Sequence, residues 1–399
     1  MAGKKRQKAG KPGSGSQRPA TTRSGKPYRA PGKPRSSAGS DSRPAKRTDT
    51  QTGRQSAASK NRPKQQIDNA TAQPRSEGQQ GPDYSARPIV RHKGDLPDQK
   101  VPLILESANE PGYELLDSGD GQKLERYGPH RIVRPEAQAL WPKRLSEGEW
   151  AKADAVFTGD TEEDGLGRWA FPGVPLGETW PMQLLDVDFW GRLTSFRHVG
   201  VFPEQIAHWQ FMVEQIHARR GTVKILNLFG YTGVASLIAA HAGAEVTHVD
   251  ASKKAIGWGR ENQALAGLED RPIRWLCDDA MKFLLREERR GNHYDLILTD
   301  PPKFGRGPNG EVWHLFDHLP LMLDLCRALM APKSIGIVLT AYSIRASFFS
   351  IHELMRETMR GMGGTVESGE LIIRESETTA GDARALSTSL FSRWLCHAR

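Results

Sequence analysis

The chain has 399 residues, enough for two or three domains, yet only 37% of them are apolar. Its formal charge of +9 is uneven: residues 1–100 hold 23 Lys/Arg against 7 Asp/Glu, and the remainder is net acidic by 7. No stretch approaches the roughly 18–20 apolar residues of a membrane span, no apolar segment follows the basic start, and Cys277, Cys326 and Cys396 form neither a disulfide framework nor a zinc cluster. The expectation is a soluble, cytoplasmic protein with no secretory leader, no metal site and a basic tail.

Residues 1–100 are Lys, Arg, Ser, Gly, Pro, Gln and Thr with almost no large apolar side chains. Such a segment cannot bury enough surface to offset its ordering entropy, so it is expected to be a disordered basic tail. Its charge suits an electrostatic arm for nucleic-acid phosphates; a solubilising tail or a transit segment is the alternative. Residues 101–200 read as a small β-rich N-terminal domain. Within it Ser118-Gly119-Asp120-Gly121 separates two alternating runs, a hairpin signal. Six of the ten tryptophans fall between 141 and 209. In a small β-rich unit they are core side chains more readily than stacking platforms for bases.

From residue 201 to 399 strands and helices alternate. Ile206, Trp209, Met212, Val213 and Ile216 keep helical spacing and end at Gly221. Strands are expected over 223–229, 245–250, 273–276, 294–299, 334–342, 365–374 and 389–396, with helices over 233–242, 253–266, 280–290, 315–330 and 347–362. The strands are apolar on both faces, which predicts an α/β, Rossmann-like sheet of seven mostly parallel strands.

In such sheets ligands bind beyond the carboxyl ends of the strands. After the first strand comes LNLFGYTG (226–233), a turn into a helix N-terminus, and Asp250 ends the second strand twenty positions after Gly230. An acid there is placed to bind ribose hydroxyls. The turn supplies Gly230 and Gly233 but lacks the third glycine of a dinucleotide fingerprint. This counts against a pyrophosphate and favours S-adenosylmethionine, whose carboxylate can use the helix N-terminus. Asp278 and Asp279 follow the third strand, where a carboxylate can meet the adenine amino group or cap the next helix. The fourth strand ends in Asp300-Pro301-Pro302-Lys303-Phe304. Its prolines leave carbonyls that can accept bonds from a flat nitrogenous substrate, on which Phe304 can stack.

Together these motifs resemble a class I S-adenosylmethionine-dependent methyltransferase over residues 195–399. In detail they are similar to the large-subunit rRNA cytosine-C5 methyltransferases and their relatives, on LNLFGYTG, VDAS (249–252), DDA (278–280), DPPKF (300–304) and the upstream GVFPEQ (200–205). The resemblance implies cofactor contacts at Phe229, Gly230, Gly233, Asp250, Asp279 and Asp300, with Pro301 to Phe304 facing the substrate. Gln205, Asn227, Thr232 and Asp278 join the cofactor candidates, and Asp300, Pro301, Pro302, Lys303 and Phe304 are the catalytic candidates.

Two departures refine this expectation. The family's cytosine enzymes attack their base with a cysteine after the fifth strand; the aligned residue here is Ser343, and Lys303 holds the other place where a thiol could stand. Residues 101–200 also do not read as that family's small RNA-binding module. The expected activity is therefore methylation of RNA, rRNA first, at a base nitrogen or another intrinsically nucleophilic atom. A protein or small-molecule methyltransferase, or a non-catalytic RNA-binding assembly factor, is the alternative.

Overall fold

A computed structural model describes residues 87–159, 167–195, 197–342, 346–376 and 383–397. Most of the expected tail, and Ser343, lie outside these residues.

The central strands of the large sheet are largely apolar on both faces, and alternate residues feed opposite faces. Ile225, Leu296, Leu298 and Val338 enter one hydrophobic cluster, and Leu226, Leu228, Ile297, Ile337 and Leu339 enter the other. In chain order the elements are β1 (Asp98–Ser107), β2 (Tyr113–Gly119), β3 (Gln122–Tyr127), β4 (His130–Pro135), α1 (Glu147–Trp150), β5 (Ala155–Gly159), β6 (Gly167–Ala170), β7 (Trp180–Leu184), β8 (Val187–Gly191) and α2 (Ile206–Ala218). Then follow β9 (Lys224–Leu228), α3 (Val234–His241), β10 (Glu245–Asp250), α4 (Lys253–Leu265), β11 (Ile273–Cys277), α5 (Ala280–Arg290), β12 (Leu296–Thr299), β13 (Phe304–Arg306) and β14 (Val312–His314). The chain ends with α6 (Leu315–Ala328), β15 (Gly336–Tyr342), α7 (Phe348–Thr358), β16 (Thr365–Arg374) and β17 (Ala385–Leu395).

The sheet order is β1-β16-β17-β15-β12-β9-β10-β11. β17 runs antiparallel to both of its neighbours, and every other pairing is parallel. Side chains of α2 and α3 fill the cluster on one face, and those of α5, α6 and α7 the cluster on the other. The strand order reverses at β9, between β10 and β12, which opens the ligand crevice of a doubly wound sheet. Among the described residues no helix is long and apolar enough to cross a membrane.

The sheet has eight strands, one more than expected. The eighth, β1, begins in the polar run Asp98-Gln99-Lys100 and pairs with β16, which would otherwise be an open sheet edge. Residues 98–107 therefore belong to the large sheet, not to the tail or the β-rich region. Residues 87–97 are also tied down. Arg87 pairs with Glu288 of α5 at 2.8 Å, His92 meets Asp324 of α6 at 2.5 Å, and Gly361 N–H donates to the Asp95 carbonyl. These polar bonds replace the apolar burial that composition could not supply.

The β-rich region holds a five-stranded sheet, β2-β3-β4-β5-β6, and the β7-β8 pair. Asp120 and Gly121 both have positive φ (50° and 73°), the turn that the Asp-Gly signal anticipates between β2 and β3. Trp180 and Trp209 are buried in one core with Trp141 and Trp169 packed at its edge, and Trp150 is buried in a separate small cluster with Leu124 and Val133. One hydrophobic cluster runs from Tyr113 and Phe189 through α2 to Leu237. A buried polar knot holds the region in shape: Glu125 accepts from Arg134 at 2.7 Å and from the Tyr113 hydroxyl at 2.8 Å. Burial works against its charge, yet Arg134 and Lys123 keep the carboxyl down at about 2.

Candidate active site

The turn from β9 into α3 is strained and held from below. Phe229 and Tyr231 adopt positive φ (54° and 51°), conformations that cost non-glycine residues on the order of 1–2 kcal/mol each. Asp250 compensates, its Oδ2 accepting from Tyr231 N–H at 2.9 Å while Oδ1 accepts from Ser252 N–H at 2.7 Å. Thr232 Oγ donates to the Gly200 carbonyl at 2.5 Å, and Asn262 donates to the Thr232 carbonyl at 3.0 Å. Asn227, buried, donates to Ser236 Oγ at 2.9 Å, which in turn meets His248 Nδ1.

The two glycines serve this packing. A Cβ on Gly230 would lie 2.4 Å from the His248 ring, and one on Gly233, at φ 81°, would lie 2.4 Å from the Trp275 ring. Both positions are constrained by side chains beneath the turn, a reason different from the close ligand approach that the sequence suggests.

Above the turn, at the carboxyl ends of β9, β10, β11, β12 and β15, lies a cleft of about 410 Å³. Phe202, Phe229, Tyr231, Trp313 and Tyr342 give it aromatic walls, and Asp250, Asp278, Asp279 and Asp300 give it acids. Burial pushes Asp250 up to about 6, against the bonds from Ser252 and Tyr231. Burial, and then the neighbouring Glu204, push Asp300 up to about 7, while Gln205 Nε2 donates to its Oδ2 at 2.6 Å. Asp279 caps α5 by accepting from Lys282 N–H, and Asp278 pairs with Arg286. His198, on the rim, is held at about 3 by burial and nearby cations, so it is neutral.

Gln205, Asn227, Gly230 and Thr232 line a smaller adjoining hollow of about 40 Å³ that shares Phe202, Phe229, Tyr231 and Asp300 with the cleft. Gly233 lines neither space and acts from below. Pro301 and Pro302 line the cleft, and the Pro302 carbonyl already accepts one bond, from the Trp313 indole at 2.7 Å, which leaves it a single further lone pair. Lys303 and Phe304 lie outside the lining: the Lys303 side chain is exposed, and the Phe304 ring packs on His314 with centroids 4.8 Å apart.

Sequence reasoning missed Arg306, Trp313 and Tyr342. The first two arrive on the β13–β14 hairpin, whose signal is Gly307-Pro308-Asn309-Gly310. Its anchor is Glu311, almost fully buried, which accepts from Asn309 N–H at 2.8 Å and pairs with Lys282 of α5. Burial opposes its charge, but those bonds hold the carboxyl at about 2.

Four carboxyls and one guanidinium, that of Arg306, line the cleft, one of the carboxyls, Asp278, being paired with Arg286. Such a lining disfavours a pyrophosphate and suits a nucleoside that carries positive charge. Residues 154–355, half of the chain, match the family model described as S-adenosylmethionine-dependent methyltransferase. The chain belongs to that family.

The methyltransferase is 65% identical to the S-adenosylmethionine-dependent methyltransferase of Agrobacterium tumefaciens, whose crystal structure matches with TM-score 0.75 over 77% of this chain and 98% of that one. A second solved chain, complexed with SAH, is 14% identical with TM-score 0.53 over 71% of this chain and 76% of its own, a likeness of fold. Curated relatives named ribosomal RNA large subunit methyltransferase K/L are 27% identical over 241 residues in Chromohalobacter salexigens and 34% over 142 residues in Shewanella baltica. The matches cover 57% and 34% of this methyltransferase, but only 31% and 19% of those relatives.

Proposed function

We propose that this methyltransferase acts on RNA in the cytoplasm, ribosomal RNA first, at a base nitrogen or another atom that is already nucleophilic. The observation that carries the choice of atom is that no cysteine lines the cleft among the described residues. Cys326 is buried in α6 with its thiol pushed well up by burial, and Cys396 lies just past β17. Cys277 is exposed, and its thiol is raised by burial and by Asp250 and Asp278. None suits a thiolate attack on a base. The names of the curated relatives support RNA as the substrate class.

S-adenosylmethionine, when bound, supplies an electrophilic methyl on a cationic sulfonium. Asp250, oriented by its backbone bonds, would accept from ribose hydroxyls, and Phe229, Trp313 and the Asp278–Asp279 segment after β11 would hold the adenine. Asp300, fixed by Gln205, would face the cationic arm, with Pro301 and Pro302 on the cleft lining. An acceptor held there would form its new bond to the methyl carbon from its own lone pair as the carbon–sulfur bond broke with its electrons left on sulfur, and its proton would pass to solvent. The residues thus act mainly by holding the acceptor in line.

Labelled methyl transfer from S-adenosylmethionine to total RNA of a strain lacking the gene, followed by nucleoside mapping, tests this. A labelled nitrogen-methylated nucleoside is expected. Label at cytosine C5, or a covalent adduct with 5-fluorocytosine-substituted RNA, would overturn the choice of atom.

A further inference from the structure

The β13–β14 hairpin has two faces, and they do different things. Phe304 pairs with His314, Gly305 with Trp313 and Arg306 with Val312, so alternate pairs point to opposite sides. Gly305 and Trp313 line the cleft, and Trp313 is buried. On the other face Phe304, Arg306, Val312 and His314 are all exposed. Phe304 is 46% exposed although its ring meets His314 edge-on, and Val312 is 39% exposed. Beside them α6 begins, its Leu315 N–H donating to the Lys303 carbonyl at 3.0 Å, and there Phe316 is 55% exposed. Nine large apolar side chains are exposed among the described residues, and these three fall within thirteen positions. Such a concentration marks a place where a partner docks.

The charges around this face select the partner. Lys303 and Arg306 flank Phe304 in sequence and are both exposed, and Arg306 also lines the cleft. The hairpin's one carboxyl, Glu311, is turned inward: it is 1% exposed and pairs with Lys282. The nearest exposed acid in sequence is Asp317, in the first turn of α6. Residues 101–399 carry an excess of 7 acids, so rings set among cations run against the charge of the body. Rings that stack on bases, with cations for the phosphates, are the two parts of a site for single-stranded nucleic acid; a duplex would hide the base faces. The mount is also fixed beforehand. The Trp313 indole is bonded to the Pro302 carbonyl at 2.7 Å, and Glu311 accepts from Asn309 N–H at 2.8 Å, so little ordering cost remains for binding.

We propose that the exposed face of the hairpin is a platform for the single-stranded RNA that flanks the methyl acceptor. Phe304 stacks on the base of a neighbouring nucleotide, not on the acceptor in the cleft, and Lys303 and Arg306 meet its phosphates. The inference rests on RNA being the substrate class. It is tested with the full chain, by labelled methyl transfer to total RNA of a deletion strain, comparing the parent with Phe304→Ala, Phe304→Tyr and Lys303→Gln. Phe304→Ala is expected to raise KM for RNA about tenfold, the loss of one base stack, with S-adenosylmethionine affinity by calorimetry unchanged. Phe304→Tyr keeps the ring and is expected to keep the parental KM. Lys303→Gln is expected to lower the salt slope of RNA binding by about one phosphate contact. Parental transfer to RNA with KM unchanged in Phe304→Ala, or raised equally in Phe304→Tyr, would overturn the platform alone. A parent that labels protein of the same extract and no RNA would overturn the substrate class and the platform with it. If Phe304→Ala does not fold, the salt slope of Lys303→Gln decides, and a parental slope overturns the platform.

Discussion

Asp250 and Asp300 sit above the usual carboxylate range, at about 6 and about 7. Because these folded values exceed the unfolded value of 3.8, folding favours the neutral acids. That contribution to stability is full below the unfolded value and lost as pH rises through about 6 and then about 7. A cationic ligand shifts the balance toward the carboxylates, so its binding releases protons. S-adenosylmethionine affinity is therefore expected to rise across this window, with proton release seen by calorimetry in buffers of different ionisation enthalpy. Asp250→Asn is expected to weaken cofactor binding by about 1.5–3 kcal/mol and to remove the lower part of the pH dependence. Affinity unchanged at every pH would remove Asp250 from the site. Asp250, Asp278 and Asp279 were legible in the sequence because strand ends announce themselves where apolar runs stop. Tyr342 was not, since what matters about it is its place on the cleft lining at the end of β15 and its bond to Arg197, 145 positions away.

At the scale of elements, the β9–α3 turn and the β13–β14 hairpin close the cleft from two sides by different means. The turn depends on volume. Gly230→Ala and Gly233→Ala are each expected to destabilise the fold by roughly 1–3 kcal/mol in urea unfolding, since His248 and Trp275 fill the space a methyl would need. The sequence marks both glycines, yet their partners lie on the neighbouring strands β10 and β11, beyond what local spacing reveals. The hairpin depends instead on charge. Glu311→Ala is expected to unpair Lys282 and the Asn309 amide, speed hydrogen exchange across residues 304–314, and weaken cofactor binding through Trp313. Exchange as slow as in the parent would show that the hairpin is held without Glu311.

For the whole molecule, the basic excess of the chain lies ahead of the described residues, which start at residue 87. A truncation lacking residues 1–86 keeps Arg87, His92 and Asp95, which are bonded to the helices. It is expected to retain cofactor affinity but to bind RNA more weakly, with a shallower salt dependence, because the basic excess leaves with the tail. Equal affinity and equal salt slope would make the tail a bystander. Composition located the basic excess but did not show that residues 87–100 belong to the fold, because they are held by ion pairs and a strand ladder rather than by apolar burial.

The pairing of β1 with β16 also bears on how the chain is made. Lys100 and Glu367, joined across these strands at 2.8 Å, are 267 positions apart. During synthesis β1 emerges early and must wait for nearly the whole chain before its partner exists. The strands that complete the sheet, β16 and β17, arrive last. Until they do, the apolar faces of β15 and α7 stay uncovered, and such surface is prone to aggregate. A ribosome stalled before residue 365 would therefore carry a chain that contains the methyl-transfer motifs and still lacks the last wall of the sheet that positions them.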